Sequence, residues 1–211
     1  MLHGIHEADP AMSDIIEAPP ISAGRYTGIA MLLHWLVAAL IIGNVALIWT
    51  VNWVPEDQVR AVIDTHKSLG ITVLGLAVLR LLWRFANPPP AMPAGTARWE
   101  KRFAHVAHWA LYLLIFALPI SGWLHDSAWK DAATHPMYLF GLFEWPRIAA
   151  VAGHNAVAQD RLHDQLGSLH IWLGYGLYAL FGLHIAGALK HQFIDGHAEL
   201  QRILPGAHAP K

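Results

Sequence analysis

The stretch QLGSLHIWLGYGLYALFGLHIAGAL, from Gln165 to Leu189, decides the fold. Its 25 residues contain no Asp, Glu, Lys or Arg. A helix needs about 20 mostly apolar residues to cross the hydrocarbon core of a bilayer, so a membrane span is expected at about 166–190. Two imidazoles punctuate it, His170 and His184, 14 residues apart. At helical rise that spacing is about 21 Å along the axis, and at about 100° per residue both fall within roughly 40° of one face.

Working outward, Tyr26–Pro55 and Phe103–His125 are equally free of charge and predict spans at about 29–50 and 104–125. A fourth span, about 63–85, has Lys67 near one end and Arg80 and Arg84 near the other, where long basic side chains can reach the headgroups. The expected fold class is all-α, a four-helix transmembrane bundle. A soluble bundle would need polar outer faces, and these segments have none.

Composition agrees. Hydrophobic residues make up 55% of the 211 and charged residues 14%, against about 25% in a typical soluble domain. A net charge of −1 gives no basic field for nucleic acid. The absence of cysteine excludes disulfides, thiolate metal sites, iron–sulfur ligation and thiol nucleophiles together. Residues 1–24 hold four acids and no Lys or Arg, which predicts a polar N-terminal tail and not a signal peptide. The bundle is expected over 25–205, with a short tail at 206–211.

Alternating helix ends place nine Lys and Arg on one side and five on the other. The Lys/Arg bias predicts both termini inside, with loops 51–62 and 126–165 outside. Asn87-Pro88-Pro89-Pro90 ends the second span, and Pro119 is expected to kink the third. The apolar run Met137–Phe143 is expected on the membrane surface.

Histidines inside spans are functional candidates by default. With thiolates absent and few acids in the spans, imidazole pairs holding haem iron from both sides remain. Paired ligands must share a membrane depth. His34 lies about five residues inside the inner end of its span and His184 about six from the inner end of the fourth; His66 and His170 match near the outer ends in the same way. The fourth helix would thus supply one ligand to each of two stacked haems. His105 and His108 also lie at inner depth and compete with His34 as partner of His184, with a non-ligand role the preferred reading. Lys67 and Arg25 are candidates to pair with haem propionates, ordinary interfacial snorkelling being the alternative. His191 reads as polar lining, His125, His135, His154 and His163 as solvated loop residues, and His3, His6, His197 and His208 as tail residues.

The ordered set of local patterns resembles the bacterial cytochrome b561 family. It comprises Arg25-Tyr26 with Leu33-His34-Trp35-Leu36, His66-Lys67-Ser68-Leu69-Gly70, Leu79–Arg84 leading to Asn87–Pro90, His105 and His108 before Ala110-Leu111-Tyr112, Leu118–Trp123, Phe140–Phe143, Gly182-Leu183-His184, Ala188–His191 and Arg202–Pro205. The resemblance covers about 25–205. It implies four helices and two haem b groups held by His34, His66, His170 and His184. Members related to the family's superoxide oxidase pass electrons from periplasmic superoxide to membrane ubiquinone. The chain carries Gln192 where the family commonly has a second histidine after position 191.

The resulting expectation is a transmembrane electron carrier in the bacterial inner membrane, with both termini cytoplasmic. Lys67, Lys130 and Arg161 would draw in the superoxide anion. Two alternatives belong to other classes: a haem-bearing anchor subunit that relays electrons between a partner redox protein and quinone, and a structural bundle without haem.

Overall fold

The structure, a computed structural model, describes residues 24–92, 96–153 and 155–206. The acidic residues expected in the N-terminal tail, His3, His6, His154 and His208 lie outside the described residues. Four long helices follow in order: α1 (Gly28–Trp49), α2 (Glu56–Ala86), α3 (Arg98–Ser127) and α4 (Ala156–Phe193). Each is long and apolar enough to span a membrane. A short α5 (Glu199–Ile203) closes the described chain.

The cause of the membrane assignment is visible in the side chains. Leu32, Leu82, Leu113 and Trp172 are all at least 60% exposed, whereas the buried positions include Ser68, Ser121, Ala77, Ala107 and Val37. Small residues inside and large apolar residues outside are the pattern of helices that pack in lipid.

α2, α3 and α4 each begin about six to ten residues before the expected spans. Charge-free sequence measures the apolar crossing, but a helix continues into the headgroups and beyond wherever its caps allow. Asn155 caps α4 by accepting from the Ala158 amide at 3.0 Å, ten residues ahead of the charge-free stretch. Thr27 caps α1 in the same way. α3 runs through Pro119 as one helix.

α1 packs on α2, α2 on α3 and α3 on α4, while α1 and α4 face each other without comparably close packing. Hydrogen bonds latch that seam, at ends called outer and inner after the expected orientation. At the outer end the Trp49 indole donates to the Tyr178 hydroxyl at 3.3 Å. At the inner end Trp35 Nε1 donates to the Ile203 carbonyl at 2.9 Å and Arg25 Nη2 to the Leu204 carbonyl at 2.7 Å. Arg202, buried beside them, donates to the Gly24 and Ala91 carbonyls, each at 2.6 Å.

The run Met137–Phe143, expected on the membrane surface, has a fold of its own. It forms an antiparallel hairpin of β1 (Tyr138–Leu139) and β2 (Phe143–Glu144) folded back on α2. Met137 is buried at 2% exposure, while Tyr138, Phe140, Leu142 and Phe143 face outward. Its turn puts Phe140 at φ 51° and Gly141 at φ 71°. A left-handed phenylalanine is strained. The buried Ser68 hydroxyl holds it there, accepting from the Phe140 amide at 2.9 Å and donating to the Asp64 carbonyl at 2.8 Å.

Candidate functional site

The histidines assemble at two levels of the bundle. At the outer level His66 of α2 faces His170 of α4, with ring centres 6.1 Å apart and planes at 89°. His170 Nδ1 lies 3.1 Å from the Leu118 carbonyl and 3.0 Å from Ser121 Oγ. The carbonyl can only accept, so Nδ1 carries the proton and Nε2 keeps a free lone pair. Metal-binding histidines are held in this way, by donation from the second ring nitrogen to a carbonyl. Gly122 makes room for the ring: a Cβ there would stand 3.2 Å from His170 Cε1. His66 Nδ1 is buried without a hydrogen-bond partner among the described residues.

At the inner level His34 of α1 faces His184 of α4 across the seam, ring centres 6.4 Å apart. Two imidazoles bound to one metal at about 2.0–2.1 Å per bond, on opposite sides, have ring centres about 6.3 Å apart. Both pairs match that separation. The outer pair also lines a cavity of about 630 Å³, within the range of small-molecule and cofactor sites. The outer pair with its cavity therefore fits a haem held between two imidazoles, and the inner pair matches it in ring separation.

The inner level is more crowded than the spans imply. His108 of α3 also approaches His184, ring centres 5.5 Å apart, so the alternative weighed from the sequence is present in the geometry. Arg80 enters as well, its Nη2 2.9 Å from His34 Nδ1 and its guanidinium 5.3 Å from the Tyr112 ring centre. Sequence reasoning treated Arg80 as an interfacial anchor. The spacing held a signal: Arg80 follows His66 by 14 residues, as His184 follows His170, which sets it on the same face at the inner level.

One expectation requires correction. His125 and His163 are not solvated loop residues. They lie on α3 and α4, stacked with ring centres 3.9 Å apart, each Nδ1 3.0 Å from the other's main-chain carbonyl, and both line the cavity. A Cβ at Gly167 would meet the His125 ring at 2.9 Å, so this glycine admits the stack. Arg25 Nη2 donates to the Leu204 carbonyl at 2.7 Å, while its Nε is buried without a hydrogen-bond partner among the described residues. Lys67 lines the cavity, and its ammonium pairs with the buried Asp126 at 2.7 Å and with Asp64 at 3.3 Å.

Comparison with known proteins gives a consistent picture. A family model described as prokaryotic cytochrome b561 matches residues 25–206. The chain is 37% identical over 182 residues to cytochrome b561 homolog 2 of Escherichia coli, covering 85% of this chain and 91% of that protein. It is 29% identical over 185 residues to the probable superoxide oxidase CybB of Yersinia pestis, covering 86% and 96%. To cytochrome b561 homolog 1 of Escherichia coli it is 21% identical over 184 residues, covering 86% and 97%.

Proposed function

The chain belongs to the prokaryotic cytochrome b561 family, and from that premise we propose that it moves electrons across the bacterial inner membrane, from periplasmic superoxide to ubiquinone. Membership makes it a bacterial membrane protein of electron transfer and implies b-type haem. The finer reading is that His66 and His170 hold one haem and His34 and His184 a second, with both termini cytoplasmic. The observation that carries it is the pair of ring separations, 6.1 and 6.4 Å, at two levels served by one helix.

Haem iron with two imidazole ligands supplies reversible one-electron chemistry and leaves no open position for oxygen. The protein's own part is orientation and charge. Leu118 and Ser121 fix the His170 tautomer. At the inner level Arg80 donates to His34 Nδ1, which leaves the ring proton on Nε2. Ligation of a haem iron through Nε2 would put that proton on Nδ1, and Arg80 would then be the cation available to pair with a propionate. Lys67 stands at the outer cavity wall as the counterpart. Of the three cations expected to attract superoxide, Lys67 pairs with Asp126 and Lys130 with Asp160 at 3.8 Å. Arg161 is exposed and has no ion pair among the described residues, so steering rests mainly on it.

A pulse of superoxide applied to the purified chain with ubiquinone in lipid vesicles tests the proposal. Superoxide is consumed and quinone reduced without any partner protein. If consumption appears only after a redox partner is added, the superoxide reading falls and the relay reading takes its place. One feature favours that second reading: the apolar tip Phe140, Leu142 and Phe143 stands exposed, three to six residues after Met137 of the cavity wall, as a docking surface for a partner.

Two variants separate the candidates at the inner level. His34→Ala lowers haem content from two per chain to one, and His108→Ala leaves two, measured by pyridine haemochrome quantitation. The reverse result would make His108 the ligand. A third change acts through position alone. Gly122→Ala forces the His170 ring to yield by a few tenths of an ångström. It retains both haems but moves one midpoint potential by about 30–60 mV in redox titration, where 59 mV is a tenfold change for one electron.

A further inference from the structure

At the inner end of α4 the chain turns back on itself through Asp195, Gly196 and His197. Gly196 has φ 71°, a left-handed conformation that glycine adopts without strain. The reversal lets the His197 amide donate to the His191 carbonyl at 2.8 Å. It also gathers His191, Asp195 and His197, one potential ligand atom from each lying within 4.8 Å of the others. His191 Nδ1 is already 2.7 Å from Asp195 Oδ2.

A second observation points to a ligand. His197 Nδ1 is buried and has no hydrogen-bond partner among the described residues, an arrangement that costs free energy unless something fills it. Asp195 Oδ2 accepts from Lys190 Nζ as well, at 2.7 Å. Lys190 is not stranded when Asp195 turns away, because it keeps Glu100 at 2.7 Å.

We propose that His191, Asp195 and His197 form a binding site for a divalent transition-metal ion, with zinc the best match. Two imidazoles and one carboxylate are a common three-ligand zinc set that leaves a fourth position for water. Magnesium and calcium prefer shells made of oxygen. Tetrahedral donors at about 2.0–2.1 Å from zinc stand about 3.4 Å apart. Small side-chain rotations therefore suffice. Binding displaces the proton His191 shares with Asp195. The ion would fasten the end of α4 to the turn that leads into α5.

Zinc chloride titrated into the purified full-length protein, in competition with a chromophoric chelator, tests this. The expected result is one tight site per chain that weakens at least tenfold in both Asp195→Asn and His197→Gln. Haem absorbance unchanged in each variant shows that it is folded. His135→Gln, an imidazole remote from the turn, leaves the affinity as it was. Equal zinc affinity in wild type, Asp195→Asn and His197→Gln overturns the proposal.

Discussion

His170→Ala removes one haem of two and leaves the bundle folded. The expected result is half the haem per chain, the same helical content, and no electron transfer from the outer face to quinone. His170 is the better anchored outer candidate, because its Nδ1 is fixed by Leu118 and Ser121 while His66 Nδ1 has no partner among the described residues. Substitution with alanine removes both the ligand and the ring that fills the space over Gly122. The fold survives because the packing of α3 on α4 runs along the helices and does not depend on this ring. Haem quantitation and circular dichroism on the same sample check the two halves of the claim. Two haems in the variant would refute the pairing of His66 with His170.

The second large effect concerns stability. Asp126 is 6% exposed and binds Lys67 at 2.7 Å and Arg147 at 3.0 Å. Asp126→Ala strands two part-buried cations at the outer end of the bundle. Removing one member of a buried ion pair costs about 3–5 kcal/mol. The lower end applies here, about 3 kcal/mol, because Lys67 keeps Asp64 and Arg147 keeps the Ala132 and His135 carbonyls. Thermal unfolding in detergent should show a melting temperature lower by several degrees, with Asp126→Asn intermediate. An unchanged transition in Asp126→Ala would show that the network contributes little. Arg147 also ties the long connection after α3 to the bundle, so the variant is expected to be cut faster by protease between residues 128 and 155.

Much of this was readable from the chain alone. Spans could be read because lipid imposes one simple rule, that charge is excluded over about 20 residues. The histidine levels could be read because helical rise converts residue number into depth. What could not be read was rotation about each helix axis. Depth alone cannot say whether His34 or His108 faces His184, and the structure brings both near it. His125 and His163 were misjudged for a related reason. Their positions at the ends of charge-free stretches suggested solvent, yet α4 begins at Ala156 and carries His163 onto α3. The hairpin was hidden because its left-handed turn depends on Ser68, about seventy residues earlier in the chain.

The seam between α1 and α4 has a further consequence. It is latched near its two ends, by Trp49 with Tyr178 and by Gly24, Arg25, Tyr26 and Trp35 with the segment after α4. Undoing those hydrogen bonds would loosen the first span from the last while the closer packing of α1 on α2, α2 on α3 and α3 on α4 is kept. A flat, greasy porphyrin dissolved in the bilayer therefore has a side door, and the bundle can be furnished laterally without first coming apart.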